Sequence, residues 1–187
     1  METNTSHRGT LMPYCATQRA PRDGEVPFIR LGFMNTPTLG YQDDSNLRKV
    51  EIARIQLTEA INLFVSEKFL CALTLAGAAE EILGRLALME GQSSAIQASA
   101  AKILELKDKL GLTALISVTE KSLFQSWNAA RNTVKHHDKS DPDSVVINSC
   151  DEAYWMIRRA LANANLVKLE IDNAQDFENW VIVNVNL

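Results

Sequence analysis

The feature that most constrains this fold is an apolar side chain every three to four residues, sustained from about residue 45 to about residue 166. The recurrence is clearest between Phe69 and Glu90, where one face carries Ala72, Leu75, Ala76, Ala79, Ile82, Leu83 and Leu86. A strand would instead alternate apolar and polar residues in steps of two. Leu70 and Leu88 lie on the opposite face, which favours a central position or an oligomer interface. The pattern predicts an all-α protein of amphipathic helices.

Capping and stop residues divide this region into about five helices. The expected spans are 45–65, 69–90, 94–110, 119–136 and about 141–166. Ser45 is a suitable N-cap for the first helix, and Asp141 followed by Pro142 suits the start of the fifth. Gly91 and Gly111 are expected to end the second and third helices. Short connections between long helices predict an up-down antiparallel bundle.

The two ends of the chain do not follow this pattern. Residues 1–44 hold four of the five prolines and no sustained helical period, which predicts an irregular N-terminal arm beside a helical domain at 45–187. The tail, 177–187, contains the run Trp180-Val181-Ile182-Val183. Because β-branched residues are enriched in strands, the tail is expected to be a strand or a docked coil.

Charge and cysteine content narrow the classes of function. The formal net charge of −4 argues against a broad nucleic-acid or membrane-surface footprint, although a small basic site is compatible with it. Cys15, Cys71 and Cys150 are widely spaced, which predicts free, mostly buried thiols in a reducing, cytoplasmic compartment. The polar N-terminus and the longest apolar stretch, 69–79, predict neither a signal peptide nor a membrane span.

No metal or cofactor motif stands out. His136 and His137 are adjacent, and neighbours on a helix point about 100° apart, so they share an ion only in a loop. His7 is the one other histidine. The sequence has no glycine-rich phosphate loop and no G-x-S-x-G nucleophile motif. We therefore expect no metal ion and no cofactor.

The end of the fourth expected helix combines residues that suit RNA chemistry. Asn132 and His136 are four residues apart, so on a helix they share a face and can hydrogen-bond, which would fix the imidazole tautomer for acid–base catalysis. Arg131 and Lys135 form a second such pair that offers two cations to a phosphate. His137 would point elsewhere and is expected to be dispensable. These groups are the minimum equipment for cleaving RNA without a metal.

The alternative interpretation of these residues is structural. Arg, Lys and His are favoured in the last turn of any helix because they complement its dipole and bond its free carbonyls. Trp127 is more simply a core or interface residue, and Trp155 and Trp180 are expected to be packing residues. Arg158 and Arg159 are interpreted as part of a solvated helix face.

The pattern Arg131-Asn132-x-x-x-His136 resembles the signature of the HEPN superfamily (higher eukaryotes and prokaryotes nucleotide-binding domains). In that family an Arg, typically followed by a polar residue, precedes a His with four to six residues between. The resemblance covers roughly 45–166 and implies a small up-down helical bundle. It implies metal-independent RNases with the motif at a dimer interface, or non-catalytic members that bind nucleotides or serve as toxin–antitoxin partners.

Members of that family often carry an acidic residue on an earlier helix. Glu80, at the edge of the apolar stripe, is the better candidate to orient Arg131, although a solvated flanking charge is the alternative. Glu81 precedes Arg85 by four residues, which suits a surface ion pair.

The sequence therefore predicts one candidate site and two functions for it. Arg131 and His136 are the expected catalytic residues, with Asn132, Lys135 and Glu80 as binding residues. The first function is a homodimer that binds RNA or a nucleotide and cleaves RNA. The second is a non-catalytic helical module that binds a protein partner.

Overall fold

A computed structural model of the chain describes residues 44–136, 139 and 142–185. Regular structure within these residues is entirely helical, without a strand. The elements are α1 (Lys49–Val65), α2 (Phe69–Met89), α3 (Ala95–Leu110), a 3-10 turn (Thr113–Leu115), α4 (Glu120–Lys135), α5 (Ser149–Leu166) and α6 (Ala174–Asn184). The predicted all-α class is confirmed, with one more helix than expected. Apart from Asp44, the predicted arm lies outside the described residues.

Three helices, α1, α2 and α5, form the centre of the bundle, with α2 packed along both of the others. The buried face of α2 is made largely of small residues: Ala72, Leu73, Ala76, Gly77, Ala79, Leu83, Gly84 and Ala87. Small side chains let helix axes approach closely. Larger side chains from the neighbouring helices fill the remaining space, and Leu57, Phe64 and Ile157 are fully buried.

The pair α3 and α4 lies against α2 and α5 and buries little apolar surface. Ala100 is the one buried residue within α3, and α4 has none. The start of α3 is instead held by polar contacts. The fully buried Asn163 of α5 accepts the Ala95 N–H at 2.7 Å and donates to the Glu80 carbonyl of α2 at 3.2 Å. We refer to α3 and α4 together as the hairpin.

The prediction of a strand or coil for the tail is wrong, because Ala174–Asn184 forms the helix α6. Phe177 and Trp180 meet the ring of Phe64 edge-to-face, with centroids 5.1 and 4.9 Å away. Val181 is buried as well, so the packed positions follow helical spacing. Contact with α1 therefore outweighs the strand propensity of the β-branched run.

The expected start of the fifth helix is also wrong. Pro142 lies outside any helix, and α5 begins at Ser149 with Asn148 as its N-cap. The Asn148 side chain accepts the Asp151 N–H at 3.3 Å. Val146 is fully exposed, so the residues before Asn148 would gain no burial by joining the helix.

The expected start of the first helix is three residues early. α1 begins at Lys49, with Arg48 rather than Ser45 as its N-cap residue. Leu47 is 51% exposed, so the extra turn that the apolar spacing suggested would have little to pack against.

The two described cysteines are free thiols. Cys71 is exposed, against the expectation that it is buried, whereas Cys150 is half-buried and burial raises its pKa. None of the helices in the described ranges combines the length and the apolar character that a bilayer crossing requires.

Candidate functional site

Arg131 turns into the bundle, away from the end of its own helix. Its Nη1 donates a hydrogen bond to the Gly77 carbonyl of α2 at 3.2 Å, and 13% of its side chain is exposed. A cation that complements a helix dipole would instead bond the free carbonyls of its own last turn. Arg131 is therefore not a last-turn cation that complements the dipole of its own helix, which was the alternative interpretation of this motif.

Gly77 provides the space that Arg131 occupies. A Cβ atom at position 77 would lie 2.3 Å from Cδ and 2.9 Å from Cγ of Arg131. Any other residue at 77 must displace the arginine. A glycine inside a helix costs about 1 kcal/mol relative to alanine, and here it admits the stem of Arg131 between α2 and α4.

Arg131 belongs to a cluster of buried charges. Glu80 is 6% exposed, and its carboxylate lies 3.9 Å from Nη1 of Arg131 and 3.9 Å from Nε of Arg159. Glu81, on the more exposed side, lies 3.7 Å from Arg131 and 4.0 Å from Arg85. Because Glu80 is buried beside the arginine, it is not the solvated flanking charge that was the alternative for it.

Arg159 ties this cluster to both α4 and α5. Its Nη2 donates to Asn128 Oδ1 at 2.9 Å, and its Nη1 donates to the Trp127 carbonyl at 3.4 Å. The interpretation of Arg159 as a solvated residue is wrong, because 12% of its side chain is exposed. Its spacing relative to the buried Met156 and Asn163 could have revealed this, because the three residues share a face of α5.

Arg158, its neighbour, is half-buried and forms an ion pair with Glu178 of α6. Its guanidinium also lies over the rings of Tyr154 and Phe177, 5.2 and 5.4 Å from the centroids. Arg158 therefore joins α5 to α6 and is not simply a solvated residue.

Burial shifts the pKa of an acidic and of a basic residue in the cluster, in opposite directions. It raises the pKa of Glu80, and the positive fields of Arg159 and Arg131 partly oppose that rise. It lowers the pKa of Arg159, which the field of Glu80 opposes. The Nε atoms of both arginines are buried without a hydrogen-bond partner among the described residues. The cluster is therefore balanced in charge but incompletely hydrogen-bonded.

His136 lies just beyond the end of α4. The helix ends at Lys135, and His136 has an extended backbone with φ −127° and ψ 145°. Its N–H donates to the Asn132 carbonyl at 3.1 Å. Its exposed imidazole makes no hydrogen bond to any described residue. The predicted side-chain pairing of Asn132 with His136 is therefore wrong, because the helix stops one residue short.

The same helix end bears on the other residues of the predicted site. His137 lies outside the described residues, so its separation from His136 stays a prediction. Asn132 and Lys135 are exposed, whereas Arg131 is largely buried. Within one chain, the structure does not place Arg131 and Lys135 together as two exposed cations.

A cavity of about 210 Å³ opens between α2 and α4 beside the cluster. Arg131, Arg85 and Asn128 line it, so the buried arginine reaches a space open to the surface. Asn128 and Leu88 meet at this cavity while Arg131 bonds Gly77, which shows that α4 runs antiparallel to α2. His136 does not line the cavity.

The candidate site is therefore a charge cluster where α2, α4 and α5 meet. Arg131, Arg159 and Glu80 are its largely buried members, and Glu81 is a half-exposed one. Comparison with protein-family models, with curated proteins and with solved structures finds no match. The described residues contain no group of three or more His, Cys, Asp or Glu side chains placed to hold a metal ion. The chemistry of the site must be argued from its own residues.

Proposed function

We propose that this chain is a HEPN-like domain that binds RNA and, as a homodimer, cleaves it without a metal ion. The observation that carries the proposal is the contact of Arg131 with the buried carboxylate of Glu80. In the resembled family, the arginine of the motif is often accompanied by an acidic residue from an earlier helix. A cation that only complemented the helix dipole would need neither Glu80 nor the space at Gly77.

Arg131 supplies the charge that an RNA phosphate would meet. The phosphate approaches through the cavity between α2 and α4, where Arg85 offers a second guanidinium. Glu81 is half exposed and its contact with Arg131 is loose, so an incoming phosphate can replace it. Glu80 stays in place and holds the arginine for the charge that develops on the phosphorane.

His136 supplies the proton transfer. Its imidazole is exposed and free of described partners, so it is available to take the 2′-hydroxyl proton or to protonate the leaving oxygen. The exposed Lys135 and Asn132 contact the RNA strand beside His136. Because His136 does not line the cavity of its own chain, a second copy completes the site.

The surface formed by α2 and α4 suits a two-fold dimer. Leu70 and Leu88 are 50% and 45% exposed near opposite ends of α2. His136 lies toward the Leu70 end, because α4 runs antiparallel to α2. A two-fold axis that pairs Leu70 with Leu88 of the partner subunit carries His136 of the partner subunit toward the cavity.

A second function is favoured by the charge balance of the cluster. The contacts of Arg131 with Glu80 and Glu81 hold α4 to the centre of the bundle. This structural role is enough to explain the position of Arg131 without catalysis. The domain would then be a non-catalytic module that binds a protein partner, and His136 would be dispensable.

An RNA cleavage assay in EDTA separates the two functions. We expect wild type to cleave mixed RNAs, and His136→Ala to lower the rate by about 10²–10⁴-fold, as is typical of general acid–base catalysis. Since His136 is exposed, the variant should unfold at the wild-type temperature. Arg131→Lys, which retains the charge but loses the planar fork, should also cleave slowly. His137→Ala is the comparison variant and is expected to cleave normally. Because His137, with five residues between it and Arg131, also fits the spacing of the motif, slow cleavage by this variant alone would assign the proton transfer to His137.

Two outcomes of this assay would contradict the catalytic proposal. If wild type and His136→Ala cleave alike, or if neither cleaves any RNA tested, the catalytic proposal fails and the interaction module replaces it. Sedimentation tests the shared site separately. A monomer mass throughout the micromolar range would contradict the predicted dimer, and with it the site that two copies are proposed to share.

A further inference from the structure

A second cavity, of about 340 Å³, lies between α3, α4 and α5. Its walls are mainly apolar and aromatic, with Ile103 from α3, Trp127 from α4, and Trp155 and Met156 from α5. Small-molecule sites typically have volumes of about 300–1,000 Å³ and mostly apolar walls with a few polar groups. The cavity has both properties.

One face of α5 supplies most of this wall. Glu152, Trp155 and Arg159 are spaced at i, i+3 and i+7, so the helix directs all three toward the cavity. The face therefore combines one aromatic ring with one group that accepts hydrogen bonds and one that donates them.

Much of the aromatic surface at this cavity is uncovered. Trp155 is 63% exposed, although the ring of Tyr154 meets it edge-to-face with centroids 4.9 Å apart. Exposed apolar area is unfavourable by about 25 cal/mol per Å², and protein interiors are otherwise close-packed. A flat aromatic ligand against Trp155 would cover this surface.

The polar groups of the cavity restrict what such a ligand must offer. The half-buried Glu152 carboxylate makes no hydrogen bond or ion pair with any described residue, and when ionised it can only accept. Arg159 can only donate, and its Nη2 already donates to Asn128 Oδ1 and to Met156 Sδ, each at 2.9 Å. The bond from its Nη1 to the Trp127 carbonyl is long at 3.4 Å, so Nη1 is the group left for a ligand. The ligand must therefore present N–H donors on one edge and acceptors on an adjoining edge.

We propose that this cavity binds a guanine base. Guanine presents its N1–H and its N2 amino group side by side for the Glu152 carboxylate. Its O6 and N7 are acceptors of the kind that arginine recognises in the commonest specific base contact, and here Nη1 of Arg159 is the donor to them. The ring stacks on an indole of the cavity, an interaction available to any base, so Glu152 provides the selectivity. The base belongs to a free nucleotide or to single-stranded RNA, and the RNA source rests on the function proposed above.

Quenching of tryptophan fluorescence by the four 5′-mononucleotides tests the site. Trp127 and Trp155 lie in the cavity, whereas Trp180 packs on Phe64 and serves as a constant background. We expect saturable quenching by GMP, at least about tenfold tighter than by AMP, CMP or UMP. Glu152→Gln should lose this preference, because an amide does not offer the two acceptor oxygens of a carboxylate.

Matched variants separate recognition from general charge and from folding. Glu170→Gln removes an exposed carboxylate at a different cavity and should leave GMP binding unchanged. Trp155→Phe should retain binding that Trp155→Ala loses, and circular dichroism should show the helices of each variant intact. Equal quenching by all four nucleotides, no quenching, or GMP binding that Glu152→Gln retains would each overturn the proposal.

The source of the base is resolved by a second titration. A short single-stranded RNA with one guanine is compared with GMP and with the same RNA carrying adenine in its place. Tighter binding of the guanine RNA than of GMP assigns the site to RNA, and the reverse assigns it to a free nucleotide. His136→Ala protein is titrated in parallel and should bind guanine as wild type does. Guanine binding without RNA cleavage would therefore refute the catalytic function and leave this site standing.

Discussion

The centre of the bundle and the hairpin are held together by different interactions. In the centre, α1, α2 and α5 bury large apolar side chains completely, among them Phe64, Leu83 and Ile157. The hairpin fully buries Ala100 alone, and Ala130 and Val134 of α4 are half-buried against the core. Polar contacts complete its attachment, from Asn163 at one end and from the Arg131 cluster at the other. Apolar burial supplies most of the free energy of folding, whereas buried polar groups contribute little net and mainly fix geometry.

This difference places both candidate sites at the boundary between the two regions. The 210 Å³ cavity lies where α4 meets α2, and the 340 Å³ cavity lies where the hairpin meets α5. Regions with few buried apolar contacts open locally at a lower free energy than the whole domain. The centre therefore provides a stable scaffold, and the hairpin forms one wall of each cavity.

The largest expected effect comes from the same leucine truncation made in each region. Leu83→Ala removes a fully buried side chain of α2 and should lower the free energy of unfolding by about 2–5 kcal/mol. Leu106→Ala, in the hairpin, removes a side chain that is 44% exposed and should change it by about 0.5 kcal/mol or less. Urea unfolding followed by circular dichroism measures both. Similar losses from the two variants would contradict the division between centre and hairpin.

Gly77→Ala tests the polar attachment of the hairpin. The new methyl group would displace Arg131 and weaken the cluster, so we expect a loss of about 1–3 kcal/mol despite the better helix propensity of alanine. In an Arg131→Ala background the conflict is absent, and the same substitution should stabilise the protein by up to about 1 kcal/mol. The measurement is the change in the free energy of unfolding caused by Gly77→Ala, which should have opposite signs in the two backgrounds of this double-mutant cycle. Stabilisation in both backgrounds would show that Arg131 does not pack on Gly77.

The centre and the hairpin also differ in how far the sequence predicts them. Helical spacing identifies the packed face of α2 because apolar burial there follows a simple period. For the same reason it identifies Glu80, a charge at the edge of that face. It does not identify the role of Gly77, because the space at that position is filled by Arg131, 54 residues later in the chain.

The failures have the same physical origin. Sequence spacing could have placed Arg159 on the packed face of α5, but it could not reveal the contacts with Glu80 and Asn128, which lie on other helices. α6 was missed because its β-branched run has strand propensity, and contact with Phe64 decides the conformation. The extended backbone at His136 marks a helix end that carries no stop signal of its own. Local propensity predicts elements well only where tertiary contacts do not oppose it.

The pH dependence of stability tests the buried charge itself. Burial raises the folded-state pKa of Glu80 above its ordinary value, so the folded protein holds this proton more tightly than the unfolded chain does. The resulting stabilisation is complete below the unfolded pKa, about 4.3, and is lost as pH rises through the folded pKa. The unfolding free energy of wild type minus that of Glu80→Gln should therefore fall with rising pH in this window and then level off. A difference that rises with pH would mean that the arginines outweigh burial.

The smallest effect compares one helix cap in each region. Thr119 caps α4 of the hairpin by accepting the Ser122 N–H at 3.2 Å, and Asn148 caps α5 of the centre by accepting the Asp151 N–H at 3.3 Å. Replacing either with alanine should cost its helix about 1 kcal/mol. Because α5 is part of the centre, Asn148→Ala should lower the global free energy of unfolding by that amount. Because α4 buries no residue, Thr119→Ala should leave global stability nearly unchanged.

Amide hydrogen exchange shows where the loss from the Thr119 variant appears. Exchange should accelerate by roughly fivefold, the equivalent of about 1 kcal/mol, and the acceleration should be confined to α4. The most protected amides of α1, α2 and α5 should keep their wild-type rates, since they exchange only on global unfolding. If Thr119→Ala lowered the unfolding free energy as much as Asn148→Ala does, the hairpin would unfold together with the centre. The polar attachment through Arg131 and Asn163 would then couple the two regions as tightly as apolar burial does.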